Sequence, residues 1–312
     1  MKTFIFSALA LGMMASCSNT EVEGIDPVDN GEPVAIQLSA GVETNVVAGL
    51  TRAAITGDAT FTAKILGWED AAAYTADPSW SSTASGIKAS GKTDKLQLAA
   101  TQYYLANGKS TKMKAFYPGD ATINATNKYI YDFTNTDGQT DVLMATEVVG
   151  NKNLASPVEF QFTHPLTQLK FKLVAGAGFP DGVTVSSIKV NGVKLPVGID
   201  VSSDAVVYDN TSTPLAVPAI SAETSVAVGN ESAAPVGNPI MVAPIENGKF
   251  TVDITASGNR NYQGINVQLD GVTGDVTGAG IAYVVTLTFK EKISASSDVT
   301  DWTDGTGSGT VE

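Results

Sequence analysis

The sequence is poor in the residues from which most catalytic and metal sites are built. Its 312 residues include a single histidine, His164, and a single cysteine, Cys17. Nucleophilic triads need a histidine beside the nucleophile, and structural zinc needs a cluster of cysteines and histidines. No glycine-rich phosphate loop joins a strand to a helix. The sequence therefore predicts no enzyme and no cofactor, although hydrolysis by two carboxylates remains an alternative, because sequence alone does not show which acids face each other.

Basic residues are also scarce. Lysine and arginine together number 19 against 32 acidic residues, which gives a formal charge of −13 and a pI near 4.5. This balance argues against binding to nucleic acid or to an anionic membrane surface. What the chain has in abundance is glycine, threonine, valine and serine, without a long stretch of helical periodicity. That composition predicts an all-β protein with many tight turns.

The first 33 residues resemble an export signal followed by a tether. Residues 1–16 carry Lys2 and then an apolar run that is too short to span a bilayer, as in a signal peptide. Cys17 follows this run directly, as in a lipoprotein signal, so we expect lipidation there; the alternative is a secretory signal with an incidental cysteine. Residues 17–33 are acidic and contain two prolines, which is typical of an unstructured tether.

The stretch that follows combines a strand pattern with a candidate protease site. Its alternation places one set of apolar residues on one face, which predicts a half-buried strand over 34–40. That set comprises Val34, Ile36, Leu38 and Ala40. Arg52 is the first arginine of the chain, and Ala53 follows it in a segment we expect to be exposed. A trypsin-like protease could cut between them; the alternative is a solvated loop cation.

The remaining chain divides into two blocks of short strands. The first, residues 34–155, contains most of the tryptophans and tyrosines, and the second, residues 156–312, ends in a glycine-rich tail. The second block contains Asn191-Gly192 and Asn247-Gly248, pairs that favour β-hairpins. Regular strands separated by turn signals predict an antiparallel sandwich.

Two weaker candidates for a site have simpler interpretations. His164 lies between two strand patterns, where a hydrogen-bonded structural role is favoured over acid-base chemistry. A segment of residues 135–141 resembles half of a calcium loop but lacks the terminal bidentate acid, so an Asp-Gly turn is favoured. Its oxygen-bearing and turn residues are Asn135, Asp137, Gly138 and Asp141.

In this order, several motifs resemble those of the fimbrillin-like lipoproteins of Bacteroidales, the subunits of type V pili. They are the signal ending at Cys17, the strand and Arg52, GWED from Gly67, DVLMA from Asp141, FTHPLTQLKFKL from Phe162, and Trp302 with its glycine-rich tail. The resemblance implies two tandem transthyretin-like antiparallel β-sandwich domains. It also implies an outer-membrane lipoprotein precursor from which an arginine-specific protease removes the N-terminal strand.

The same resemblance implies that other pilin subunits are partners, since the C-terminal strand of a neighbour would fill the groove left by Val34, Ile36, Leu38 and Ala40. A host or bacterial surface ligand would be a further partner of the extracellular fimbrium. The chain could be a shaft or a tip subunit, and a basal anchor is disfavoured because Arg52 looks cleavable. The alternative is a surface glycan-binding lipoprotein that uses Trp68, Trp80 or Tyr103 to stack sugar rings.

Overall fold

The chain folds into strands joined by turns. The computed structural model describes residues 33–42, 55, 59–70, 74, 77–89, 91–154, 157–210, 213–272, 274–290 and 293–301, of which 293–301 are described as backbone. These ranges contain no helix, and hence no helix that could cross a membrane. The all-β sandwich fold predicted from the composition is therefore confirmed.

The strands are described in chain order. The first ten are Leu38–Val42 (β1), Thr60–Glu69 (β2), Trp80–Lys88 (β3), Lys92–Leu96 (β4), Thr111–Tyr117 (β5), Thr122–Ile123 (β6), Ile130–Asp132 (β7), Leu143–Ala145 (β8), Val148–Gly150 (β9) and Val158–Thr163 (β10). The others are Thr167–Ala175 (β11), Thr184–Asn191 (β12), Pro196–Asp200 (β13), Ala205–Tyr208 (β14), Leu215–Ala216 (β15), Val226–Ala227 (β16), Val236–Val242 (β17), Lys249–Ala256 (β18), Arg260–Gln268 (β19), Ile281–Phe289 (β20) and Ile293–Asp301 (β21).

One sheet carries the first half of the chain. Its strands run in the order β3-β2-β5-β8-β10-β1-β4, with β9 paired to β5. An isolated bridge between Ala84 and Leu98 brings the two ends of this sheet together, so that the sheet curls around a core containing Phe160 and Phe162. Strand β10 thus pairs within the first sheet, although the predicted division between domains lies before it, at residues 155 and 156. That division stays a prediction.

The second half is a two-layered sandwich. One layer has the order β17-β11-β20-β21, and the other has the order β15-β12-β18-β19 with β16 also paired to β12. Both layers contribute to a single hydrophobic core. In strand β20, for example, alternate residues face this core, and they include Tyr283, Val285 and Leu287. The pairs β1 with β10 and β11 with β20 are parallel, and the other strand pairs are antiparallel.

A third core joins the two halves. Strands β6 and β7 form one sheet with β13 and β14, in the order β14-β13-β7-β6. A buried cluster that includes Trp68 and Met241 lies beside this sheet. Lys114 of β5 is 3% exposed and donates to the Val201 carbonyl at 2.7 Å and to Asp204 Oδ1 at 2.6 Å. Its ammonium also lies 4.0 Å from the ring centroid of Tyr74. These bonds satisfy a buried charge and tie the β13–β14 turn to the first sheet.

The hairpin predicted around Asn191-Gly192 is wrong. Gly192 has a φ of 78°, as a tight turn requires, but β12 pairs with β15, β16 and β18, whereas β13 pairs with β7 and β14. At Asn247-Gly248 both residues have positive φ, yet the strand before this turn, β17, pairs with β11. In both places the chain passes from one sheet to another, so a turn of the expected chemistry joins strands that do not pair.

Candidate strand-exchange site

Strand β1 lies inside its sheet with a partner on each side. It runs parallel to β10, with Leu38 opposite Val158 and Val42 opposite Phe162, and antiparallel to β4. The backbone pairing continues towards the N-terminus, where the Ile36 amide donates to the Gln102 carbonyl at 2.8 Å. The segment is therefore held by hydrogen bonds along one edge over 34–36 and along both edges over 38–42.

One face of this segment belongs to the hydrophobic core. Three of the four predicted residues, Ile36, Leu38 and Ala40, are buried there at 7%, 1% and 0% exposure. Val42 continues the same face at 7%, although it was not predicted, whereas Val34 is 42% exposed. The buried face thus extends from Ile36 to Val42, because the regular strand begins and ends later than the predicted range 34–40.

The opposite face is covered as well. Ser39 is 3% exposed, and the side chains of its neighbours Lys92 and Glu159 form an ion pair on this face. A Cβ at Gly41 would lie 3.2 Å from Oε1 of Gln161, so the side chain of Gln161 lies against the backbone there. The half-buried strand predicted from the alternation is consequently buried on both faces over 38–42.

The burial of this one strand contributes a large part of the stabilising free energy. Full burial contributes about 1.5–3 kcal/mol for a residue such as Ile36, Leu38 or Val42 and less for Ala40, which sums to about 5–10 kcal/mol. The total stability of a domain is about 5–15 kcal/mol. Loss of β1 would therefore remove much of the stability of the first sheet and leave the facing edges of β10 and β4 without a partner.

Strand β21 has the opposite position, at an edge. It pairs antiparallel with β20 over its whole length, from Ile293 opposite Phe289 to Asp301 opposite Ile281. Among the described strands no other pairs with it. Edge strands present unpaired backbone groups and can pair with another chain.

The chain beyond the candidate cleavage site is anchored by a buried carboxylate. The Ile55 amide donates to Asp141 Oδ2 at 2.8 Å, and the Val142 amide donates to Asp141 Oδ1 at 2.8 Å. His164 Nδ1 lies 3.1 Å from Asp141 Oδ2. His164 is buried between β10 and β11, so its predicted place as a hydrogen-bonded residue between strands is confirmed. Its structural role stays a prediction.

The segment resembling a calcium loop has its oxygens engaged elsewhere. Asn135 Oδ1 accepts from the Gly138 amide, and Asp137 Oδ1 accepts from the Gln139 amide. Gly138 has a φ of 72°, as the turn needs. The carboxylate of Asp141 accepts a hydrogen bond from the Ile55 amide. Within the described ranges, no three acidic or metal-binding side chains gather where they could hold a metal ion. The segment is therefore a hydrogen-bonded Asp-Gly turn.

The rings proposed as sugar platforms are mostly buried. Trp68 is 1% exposed and packs edge-on against Tyr74 with centroids 4.8 Å apart. The ring of Trp80 lies on the backbone of Gly67, where a Cβ would fall 2.0 Å from Trp80 Cε2. Only Tyr103 of the three is largely exposed, at 49%. Stacking of a sugar on Trp68 is excluded by its burial, and the Trp80 ring has its Gly67 face covered.

Some predicted site residues lie outside the described residues. These are Cys17, Arg52 and Ala53. Sequence reasoning missed Lys92 and Glu159, which form the ion pair over β1. It named Asp141 as a turn residue but missed its bond to the Ile55 amide. The ion pair and the anchor join residues far apart in sequence, and no local pattern announces them.

The chain matches the model of one protein family. The fimbrillin-like family model matches residues 51–302, which is most of the sequence. The chain therefore belongs to the fimbrillin-like family. No curated protein shows a significant match.

Solved structures with the same fold come from Bacteroidales. A proposed cell adhesion protein of Bacteroides uniformis is 20% identical with a TM-score of 0.57, covering 89% of this chain and 100% of its own. A proposed cell adhesion protein of Bacteroides ovatus is 15% identical with a TM-score of 0.56, covering 88% and 99%. A fimbrial assembly protein of Parabacteroides distasonis is 9% identical with a TM-score of 0.50, covering 86% and 97%. These likenesses concern the fold.

Proposed function

We propose that this member of the fimbrillin-like family is a structural subunit of a cell-surface fimbria, activated when cleavage after Arg52 frees β1 and opens a groove for a strand of another subunit. Family membership supports the fimbrial role, an extracellular location, pilin subunits as partners and a non-enzymatic activity. The observation that carries the exchange mechanism is the position of β1, which is central, buried and paired on both edges.

Arginine content favours selective cleavage. The sequence contains two arginines, Arg52 and Arg260. Arg260 begins β19 and donates from Nη1 to the Ser257 carbonyl at 2.8 Å, within the β18–β19 hairpin. An arginine-specific protease would therefore meet one candidate between β1 and β2 and one inside a paired hairpin. Because the Asp141 carboxylate holds Ile55, a cut after Arg52 would separate β1 from an anchored body.

The C-terminal strand has the pattern needed to replace β1. Residues 36–42 read IQLSAGV, and residues 293–299 read ISASSDV. Ile293, Ser296 and Val299 match Ile36, Ser39 and Val42 at identical spacing. In this register Ala295 takes the place of Leu38 and Ser297 takes the place of Ala40, so the incoming strand fills the groove with less apolar volume.

Pairing favours the transfer. In its own sheet β21 is hydrogen-bonded to β20, on one edge, whereas the groove of a cleaved neighbour would offer both β10 and β4. A strand that moves from an edge to a central position gains a second ladder and is shielded from solvent on both sides. Cleavage thus acts as the switch between a stored precursor and a polymer, with no need for a nucleotide.

The mechanism is tested by cutting the purified precursor. Residues 18–312 are incubated with an arginine-specific protease and followed by size-exclusion chromatography and gel electrophoresis, with Arg52→Lys as the matched control. We expect a cut after Arg52 and a ladder of oligomers, which indicates a shaft subunit. A cut product that stays monomeric indicates a tip subunit, which accepts a strand without giving one. An uncut precursor contradicts the mechanism.

Export as a lipoprotein is the remaining part of the proposal. The signal in residues 1–16 and the thiol of Cys17 support an outer-membrane precursor, and cleavage after Arg52 would remove the lipid together with β1. Cys17→Ser should abolish lipid labelling of the precursor in cells. Persistent labelling of this variant would contradict lipidation at Cys17.

A further inference from the structure

A polar cleft lies beside the sheet that joins the two halves of the molecule. It has a volume of about 470 Å³ and lies between the end of β5 and the β6–β7 hairpin. Such a volume falls within the range of about 300–1,000 Å³ found for ligand sites. The cleft is remote in sequence from β1 and is not used by the proposed strand exchange.

The lining combines aromatic rings with hydrogen-bonding groups. Tyr117 and Phe133 are half-buried and line the cleft, together with the exposed Asp120 and Thr122. Within the part of the chain that the structure describes, no side-chain hydrogen bond occupies Asp120 or the Thr122 hydroxyl. Asp132 accepts from Asn124 Nδ2 through one carboxylate oxygen, Oδ2, at 2.6 Å. These acceptors and hydroxyls can bind a ligand with several hydroxyl groups.

The charges of the cleft select against an anion. Asp120 and Asp132 are both in the lining, which contains no described lysine or arginine. Lys64 interacts with the charge of Asp120, and it donates to the Ala121 carbonyl at 2.6 Å. Burial lowers the pKa of Lys64, and the charge of Asp120 partly offsets this effect. Two carboxylates against one such lysine leave the cleft with an excess of negative charge, which repels carboxylated, sulfated or phosphorylated ligands.

Tyr117 is suited to donate a hydrogen bond. Burial raises the pKa of its phenol, and the charges of Asp141 and Asp120 raise it further, so the hydroxyl keeps its proton at neutral pH. Its ring is fixed by an edge contact with Phe61, with centroids 5.9 Å apart. An aromatic ring with a fixed orientation and a polar tip is a common element of sites for ligands that are apolar on one face and polar at the edge.

We infer that this cleft is a binding site for a neutral glycan, with the rings of Tyr117 and Phe133 against the sugar and Asp120, Asp132 and Thr122 bonded to its hydroxyls. A second cavity of about 740 Å³ shares Tyr117 and Asp120 and continues beside Ile55 and Phe61. The two cavities have Tyr117 and Asp120 in common, and each has room for a sugar unit. The proposal differs from the sugar platform predicted at Trp68, Trp80 and Tyr103.

Saturation-transfer NMR on residues 18–312 tests the site with lactose, cellobiose and maltose as neutral probes and 3′-sialyllactose as the charged probe. We expect transfer to at least one neutral disaccharide, with weaker transfer to the sialylated probe than to lactose. Asp120→Ala should weaken the binding of that disaccharide about tenfold, because a hydrogen bond to a charged group is lost. Asp137→Ala, an exposed carboxylate outside the cleft, is the matched control and should bind as the unchanged protein does.

Four results would overturn the inference. They are no transfer to any neutral probe, stronger binding of the sialylated probe than of lactose, equal loss of binding in Asp120→Ala and Asp137→Ala, or a loss of binding in Tyr103→Ala alone. The last variant removes the exposed ring outside the cleft. Because none of these residues lies in β1, β4, β10 or β21, Asp120→Ala should leave cleavage and oligomer formation unchanged, so the two proposals can fail separately.

Discussion

Strands β1 and β21 have related sequences and opposite positions. IQLSAGV at 36–42 lies in the centre of a sheet, with β10 and β4 as partners, and ISASSDV at 293–299 lies at an edge with β20 alone. The comparison shows that similar sequences do not imply a similar contribution to stability. The loss of unfolding free energy on removal of a strand depends on whether both of its edges are paired and both of its faces are buried.

Removal of the two strands should therefore have unequal effects. A chain that starts at Ala53 lacks β1 and should lose about 5–10 kcal/mol of its unfolding free energy, since the burial of Ile36, Leu38 and Val42 is lost. A chain that ends at Glu291 lacks β21 and should lose less, because one ladder is broken and not two. Urea unfolding followed by far-UV circular dichroism measures both.

A peptide provides the control for that comparison. Addition of the peptide VAIQLSAGV, residues 34–42, should restore the stability of the chain that starts at Ala53, and a scrambled peptide should not. Equal stability of the two truncated chains, or no rescue by the native peptide, would contradict the central role assigned to β1.

How far the sequence predicts this arrangement depends on the range of the interactions. Alternation is local, so it identifies three of the four core residues of the segment 36–42. The parallel pair of β1 with β10 joins residues more than a hundred positions apart, and no alternation encodes the partner. For the same reason Asn191-Gly192 predicts a turn correctly but the wrong strand pair.

Buried polar groups were beyond prediction for a related reason. Lys114 alternates with Met113 and Ala115 as an outward residue would, yet the β13–β14 turn covers it and accepts its hydrogen bonds. Asp141 stands in a turn sequence, and its buried role depends on Ile55 and His164. In each case the side chain's surroundings come from distant segments. The Asp-Gly turn and the structural histidine were predicted because their signals are local.

Within the segment 34–42, the loss of unfolding free energy on substitution by alanine should depend on how deeply the side chain is buried. Leu38→Ala should lower the unfolding free energy by about 2–5 kcal/mol, because Leu38 is 1% exposed in a packed core. Val34→Ala is the matched control, and its effect should stay within about 0.5 kcal/mol because Val34 is 42% exposed. Chemical denaturation of both variants makes the comparison, and a larger loss at Val34 would contradict the register described here.

Weakening the Asp141 anchor beyond β1 should have an intermediate effect on the free energy of unfolding. Asp141→Asn keeps the shape but loses the charge that accepts from the Ile55 and Val142 amides, and it should cost about 1.5–3 kcal/mol. Hydrogen exchange at the Ile55 amide should also become faster. Asp137→Asn, whose carboxylate accepts from the Gln139 amide at an exposed turn, is the control. Unchanged exchange at Ile55 in Asp141→Asn would argue against the anchor.

The ion pair over β1 should have the smallest effect. The Lys92 and Glu159 side chains are 51% and 31% exposed, so solvent screens their attraction. Lys92→Ala should lower the unfolding free energy by about 0.2–1 kcal/mol at low salt, and the difference should shrink as salt is added. Lys109→Ala removes a similarly exposed ion pair with Asp70, away from β1, and is the matched control. Faster release of β1 from the cleaved Lys92→Ala protein than from the cleaved Lys109→Ala protein would show that the ion pair over the outer face of β1 helps to retain the strand. Equal release rates would show that β1 is retained by its hydrogen bonds to β10 and β4 and by the burial of its core face.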